Sequence, residues 1–308
     1  MYRLLASLHE RTGAPERALR VLEVMAQLGF AEPHDEATAG RLRAAHPTSP
    51  PRGELDDELR THGLLTAGAR GPLGELWAAA PAALAQRLPA PRGGERIAPI
   101  STVSDRAARA IVAEVAATWG SAAEVYVGDR VPGLVTLISH PRPLFIFDRT
   151  LLIEPADGLR YLVGWALEAL RGGYAPLLAL GARARAELVT TLGELVGDEL
   201  ERSAPVRDLA RALPPRAAER LAAIAGRGLE LDVDAWLDDM AACARRAGLV
   251  ACGSLAAASE MIARLAGEPP AVDDEVAAVV GLRVPGPDLV RYYLSDEFHQ
   301  LRRELGAR

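Results

Sequence analysis

Apolar residues in the first thirty positions recur at helical spacing in two runs, Leu4, Leu5 and Leu8, then Leu19, Val21, Leu22, Met25 and Leu28. Gly13-Ala14-Pro15 breaks the pattern between them, so the spacing predicts a helical hairpin. Residues 45–53 carry Pro47, Pro50 and Pro51 and read as a linker. Helical periodicity resumes over 54–65 and again over 72–88, where Leu73, Leu76, Trp77, Ala80 and Leu84 share one face. A second Pro/Gly cluster at 89–94 follows. Ser104 is placed to cap a helix whose apolar positions are Ala108, Ile111, Val112, Val115 and Trp119, and Gly120 ends it.

Beyond Gly120 the period changes. Residues 124–127, 133–139 and 143–148 are short, rich in Val, Ile and Phe, and separated by turn residues, which predicts a small sheet. Helical spacing returns after Asp157, the expected cap of a helix carrying Leu159, Leu162, Val163, Ala166, Leu167 and Leu170 and closed by Gly172-Gly173. Further helices are predicted over 184–200, 206–213, 215–225, 234–247, 254–266, 273–280 and 287–305. A little strand among much helix predicts an α+β class, mainly helical.

Composition narrows the class. With 49% hydrophobic and 25% charged residues the chain reads as soluble and globular, and 308 residues suit one large unit with a smaller one attached. The longest apolar stretches, such as 174–182, run about half the ~20 residues needed to cross a bilayer, and the N-terminus has no signal-peptide pattern, so a cytoplasmic address is expected. A net charge of −6 disfavours general affinity for nucleic acid or an anionic membrane. All 35 basic residues are arginine, which removes Schiff-base and P-loop lysine chemistry. Cys243 and Cys252 lack C-x-x-C spacing and read as small buried hydrophobes, so no metal or other cofactor is expected of them. Serine-hydrolase, Walker and dinucleotide fingerprints are missing.

Two stretches carry family resemblances. Tyr2, Leu5, Ala6, Gly13, Ala18, Leu22 and Met25 follow the order and spacing of the 34-residue tetratricopeptide repeat, which the hairpin resembles. In such a unit Ala6 and Ala18 let the helices approach while larger side chains face a neighbouring hairpin, so further repeats of a longer parent chain or a partner are expected beside it. The second stretch runs through the strands of 125–147, the phrase Arg149-Thr150-Leu151-Leu152 and the helix from Leu162 to Ala169. With Ala241-Ala242-Cys243-Ala244-Arg245-Arg246-Ala247-Gly248-Leu249 downstream, it resembles the zinc-dependent gluzincin peptidases of the CAAX-endopeptidase and heat-shock-protease kind. The resemblance covers roughly 104–267.

That resemblance implies zinc ligands and a general base, and the sequence departs from both. The first histidine's place holds Trp165, the general-base position Ala166, the second histidine's place Ala169 and the third ligand's place Ala241. A catalytic zinc needs about three nitrogen, sulfur or carboxylate donors plus an open position for water, and an indole with three methyl groups offers none. Histidines 9, 34, 46, 62, 140 and 299 contain no i, i+4 pair to replace them. Trp165 is expected to fill the vacated space, its burial contributing ~2 to 3 kcal/mol. Glu168 is expected to be solvated or paired with Arg171 or Arg160.

The resulting division is a tetratricopeptide-like hairpin and following helix over 1–46, a linker and packing helices over 47–98, and a metallopeptidase-like unit without its zinc site over 99–308. The expected function is a non-catalytic interaction protein that binds a protein or peptide, with a strand edge at Val135, Thr136 and Leu137 available for β-addition. The alternative is a hydrolase with a relocated site, using Glu168 with Asp148 or the carboxylates around Asp234. The run Glu230, Asp232, Asp234, Asp238 and Asp239 is expected to serve a helix N-terminus, and 294–302 to pack back on the core.

Overall fold

The computed structural model describes residues 1–85, 88, 94–139, 142–197, 199–225, 232–267 and 286–307. The expected helix at 273–280, His140 and Glu230 lie outside the described residues. Within them the chain is mainly helical, with sixteen α-helices and one four-stranded mixed sheet. No helix among the described residues is long and apolar enough to cross a membrane.

The chain begins with α1 (Tyr2–Arg11), α2 (Pro15–Gln27) and α3 (Pro33–Ala45). Gly13 turns between the first two at φ +74°, a conformation that a side chain disfavours. Ala6, Ala18, Leu19, Leu22, Met25, Ala39 and Leu42 form a small core of their own between these helices. Leu4 and Leu8 of α1 stay exposed.

Next come α4 (Asp57–Gly63), α5 (Pro72–Ala79) and α6 (Pro81–Ala85). The single helix expected over 72–88 is therefore two, because Ala80 leaves the helical region and Pro81 starts a new helix without an amide donor. Leu55, Leu64, Leu73, Trp77 and Leu84 of this stretch sit in the main core. α7 (Arg106–Thr118) is capped by Asp105 rather than Ser104, since the Asp105 carboxylate accepts from the Ala107 and Ala108 amides.

The sheet runs β1-β2-β4-β3, with β1 (Glu95–Pro99) and β2 (Glu124–Asp129) antiparallel, β2 and β4 (Leu144–Asp148) parallel, and β3 (Val135–Ile138) antiparallel to β4. The strand expected over 133–139 begins two residues later, after a 3-10 turn at Pro132–Leu134. Strand β1 was not expected, because Glu95-Arg96-Ile97-Ala98-Pro99 is largely exposed and lacks alternation.

Helix α8 (Ala156–Arg171) is the centre of the molecule, buried over most of its length. It starts after Pro155, one residue ahead of Asp157, which lies in the first turn instead of capping. The 20-residue α13 (Val233–Cys252) packs along it. A β-carbon on Gly164 would lie 2.6 Å from that of Ala251, and one on Gly248 would lie 2.7 Å from the Tyr161 ring, so both positions accept only hydrogen at this crossing. Around the pair stand α9 (Ala175–Leu178), α10 (Ala182–Val196), α11 (Ala204–Ala212), α12 (Pro215–Ala225) and α14 (Leu255–Leu265).

The last stretch is two helices, α15 (Pro287–Tyr293) and α16 (Asp296–Glu304), where one was expected, because the Ser295 side chain caps a new start by accepting from the Phe298 amide. It folds back as expected, with Phe298, Leu301 and Arg302 buried. Arg302 donates to the Val250 carbonyl in the last turn of α13 and to the Ser49 carbonyl in the linker, each at 2.6 Å. It thus places a cation at a helix C-terminus, where the macrodipole favours one.

Candidate functional site

The positions that the peptidase resemblance marks lie on the α8–α13 pair. Ala166 and Ala169 are fully buried on α8, while Ala241 on α13 is half-buried. Trp165 is also half-buried: its ring packs against the margin of the core and does not fill an interior space, which corrects the expectation. None of the four side chains offers a lone pair to a metal, so the residues present do not fit a zinc ion. Among the described residues no three His, Cys, Asp or Glu side chains gather in a way that would hold one.

Glu168 also departs from expectation. It is fully buried and pairs with neither Arg171 nor Arg160. Arg171 donates to the Leu55 and Trp119 carbonyls and to Asp57, and Arg160 pairs with Glu114 and Asp157. The partner of Glu168 is Arg60, brought in by the short helix α4. Arg60 Nε donates at 2.9 and 3.1 Å to the two carboxylate oxygens, and Nη2 donates at 2.7 Å to Oε1. The Tyr174 hydroxyl donates to Oε1 at 3.3 Å. Burial alone would pull Arg60 down, but the carboxylate against it more than compensates and holds the guanidinium protonated above its ordinary range. Burial, reinforced by the same carboxylate, pushes Tyr174 well above the phenol range.

Cys243 lies beside this pair, its sulfur accepting from the Thr66 amide at 3.3 Å. Burial pushes its thiol up to about 11 and that of Cys252 up to about 12, so both are protonated at neutral pH and poor nucleophiles. A cavity of about 410 Å³ opens next to the ion pair, at the C-terminal end of α8. Its walls include Arg60, Trp77, Gly173, Tyr174 and Met240, with Ser139 and Pro143 from the ends of the sheet. Concave, aromatic-walled spaces with a few polar groups are where small ligands and peptide side chains bind. Nothing in the local pattern of α4 or of the turn after α8 announced Arg60 or Tyr174, which are 114 positions apart.

The other carboxylates are committed elsewhere. Asp148 accepts from the Thr150 amide and hydroxyl and from the Val131 amide. Burial pushes it up, but these bonds outweigh that and hold it below the usual range. Asp232 caps α13 through the Ala235 amide and Asp234 lies in its first turn, as expected of these two, whereas Asp238 lies beyond the first turn and shares Arg185 with Asp234. Glu168, Asp148 and Asp234 thus each answer to a different set of partners. Strand β3, with Val135, Thr136 and Leu137, ends the sheet order among the described residues; Thr136 and Leu137 are buried and Val135 half-buried. No family model, no curated protein and no solved structure matches this chain.

Proposed function

We propose that this chain is a non-catalytic binding protein, built on a helix pair of the gluzincin kind whose metal-ligand positions carry hydrocarbon, and joined to a tetratricopeptide-like hairpin. The observation that carries the reading is the Arg60–Glu168 pair. Glu168 is the carboxylate nearest Trp165, Ala166 and Ala169 in the chain, and a guanidinium takes both of its oxygens. A carboxylate held in this way by a permanent cation and shut off from solvent is stabilised as the anion and is a poor base toward water. The close crossing at Gly164 and Gly248 supports the same reading, since α8 and α13 meet through direct apolar contact.

The ligand class that suits the geometry is an extended peptide along β3, at the end of the sheet, with a side chain entering the cavity between Ser139 and Tyr174. Metal analysis of the purified protein together with a broad peptidase assay tests the non-catalytic part. We expect sub-stoichiometric metal and no hydrolysis; a stoichiometric ion with chelator-sensitive cleavage would overturn it. Titration of fluorescent extended peptides tests the binding part with Val135→Pro and Thr136→Pro variants. Adjacent strand residues point their amides to opposite edges, so one variant should lose binding with its fold intact while the other weakens the sheet. Unchanged binding in both removes β3 from the site.

A further inference from the structure

The hairpin is joined to the C-terminal helices through an arginine and a histidine. Arg20 of α2 lies with its guanidinium carbon 4.8 Å from the Phe298 ring centroid and 5.8 Å from that of Tyr293. Its Nη1 is 3.0 Å from His299 Nδ1 on α16. A guanidinium has only donors, so His299 must accept, and this fixes the neutral imidazole with its proton on Nε2. Around this contact, Arg17 of α2 pairs with Asp296 of α16 at 2.6 Å, and the Tyr293 hydroxyl donates to Glu23 of α2.

We propose that this junction is an acid-sensitive latch, in which a proton on His299 Nδ1 removes the acceptor, sets a cation against Arg20 and loosens the α1–α2 hairpin from α15 and α16. Partial burial is the largest influence on the imidazole and opposes protonation, and the charges that face it come next. From α2 come Arg20 and Arg17, which oppose protonation, and Glu16, which favours it; from α16 itself comes Arg303, which also opposes it. Burial and the net effect of these charges together hold the imidazole below its ordinary value. The docked hairpin therefore binds the proton less well than the released one, whose histidine is free in water. Linkage then requires docking to be strongest above about pH 6.5 and to weaken as the pH falls through the docked value. The Arg17–Asp296 pair and the apolar contacts of Val24 and Leu294 remain, so the expected response is more frequent opening and not dissociation.

Amide hydrogen exchange of the full chain, corrected for intrinsic rates, reads the opening directly. Peptides covering 15–27 should open severalfold more at pH 5.0 than at pH 7.5, while peptides from α8 stay constant. His299→Gln keeps an acceptor for Arg20 and cannot titrate, so its opening should be independent of pH over this range. Equal pH dependence in the wild type and the variant, or none in the wild type, would overturn the latch. Should the variant fail to fold, nitrogen chemical shifts of His299 in the wild type decide instead: the expected result is an Nε2–H tautomer titrating below ~6.5, and an Nδ1–H tautomer or a higher midpoint refutes it.

Discussion

Two junctions in this molecule hold a largely buried arginine against aromatic rings or hydroxyls, and they differ in the group that accepts from it. Between α4 and α8, Arg60 is largely buried and meets a carboxylate with no exposure at all, through three short hydrogen bonds. Between α2 and α16, Arg20 is stacked on Phe298 and meets a half-buried imidazole. The first arrangement gives a fully buried carboxylate a single cation, so Glu168 without Arg60 would be a stranded ion. In the second the cation is also largely buried, enough for burial to lower it from its ordinary value, but it faces no carboxylate at hydrogen-bond distance and its acceptor is a part-exposed, titratable imidazole. Strength with rigidity belongs to the interior pair, and responsiveness to the peripheral one.

Breaking the interior pair should give the largest effect. Glu168→Ala leaves Arg60 buried without a counter-charge and is expected to cost about 3 to 5 kcal/mol in denaturant unfolding. The double variant Arg60→Met/Glu168→Leu should recover most of that loss, because a similar volume of hydrocarbon needs no counter-ion. A double variant as unstable as the single one would mean that the site holds the fold by something other than charge neutrality. Gly164→Ala comes next. Its new methyl would press on Ala251 and on the Ala247 carbonyl at 3.0 Å, and overpacking of this kind costs about 1 to 3 kcal/mol. The smallest effect should come from Arg20→Met, which removes the cation over two rings but keeps the stem's packing. A loss of about 0.5 to 2 kcal/mol in the same measurement would mark the peripheral junction as the weaker of the two.

Much of the helical framework was legible because it rests on local periodicity. The hairpin, the apolar face of α8 and the bounds of α12 follow from spacing alone. Boundaries failed where one side chain decided them: Asp105 outcompeted Ser104 as a cap, and Pro81 and Ser295 each divided a continuous apolar pattern into two helices. Strand β1 was missed because an exposed edge strand has no buried face to impose alternation. The candidate site was the least legible part. For Glu168 the sequence offers Arg171 and Arg160, because only partners within a turn or two of a helix can be read from spacing. The residue that holds it comes from 108 positions away, and that contact exists only once α4 has packed beside α8.

Arg302 ties the carbonyls of Ser49 and Val250 to α16, and these three points enter the chain early, late and later still. On a ribosome, the linker after α3 and the end of α13 would both have emerged before the group that clasps them was synthesised. Assembly by this route is vectorial with a late closing step, and a nascent chain halted before α16 should present its 47–53 segment to protease long after α1 and α2 have become helical.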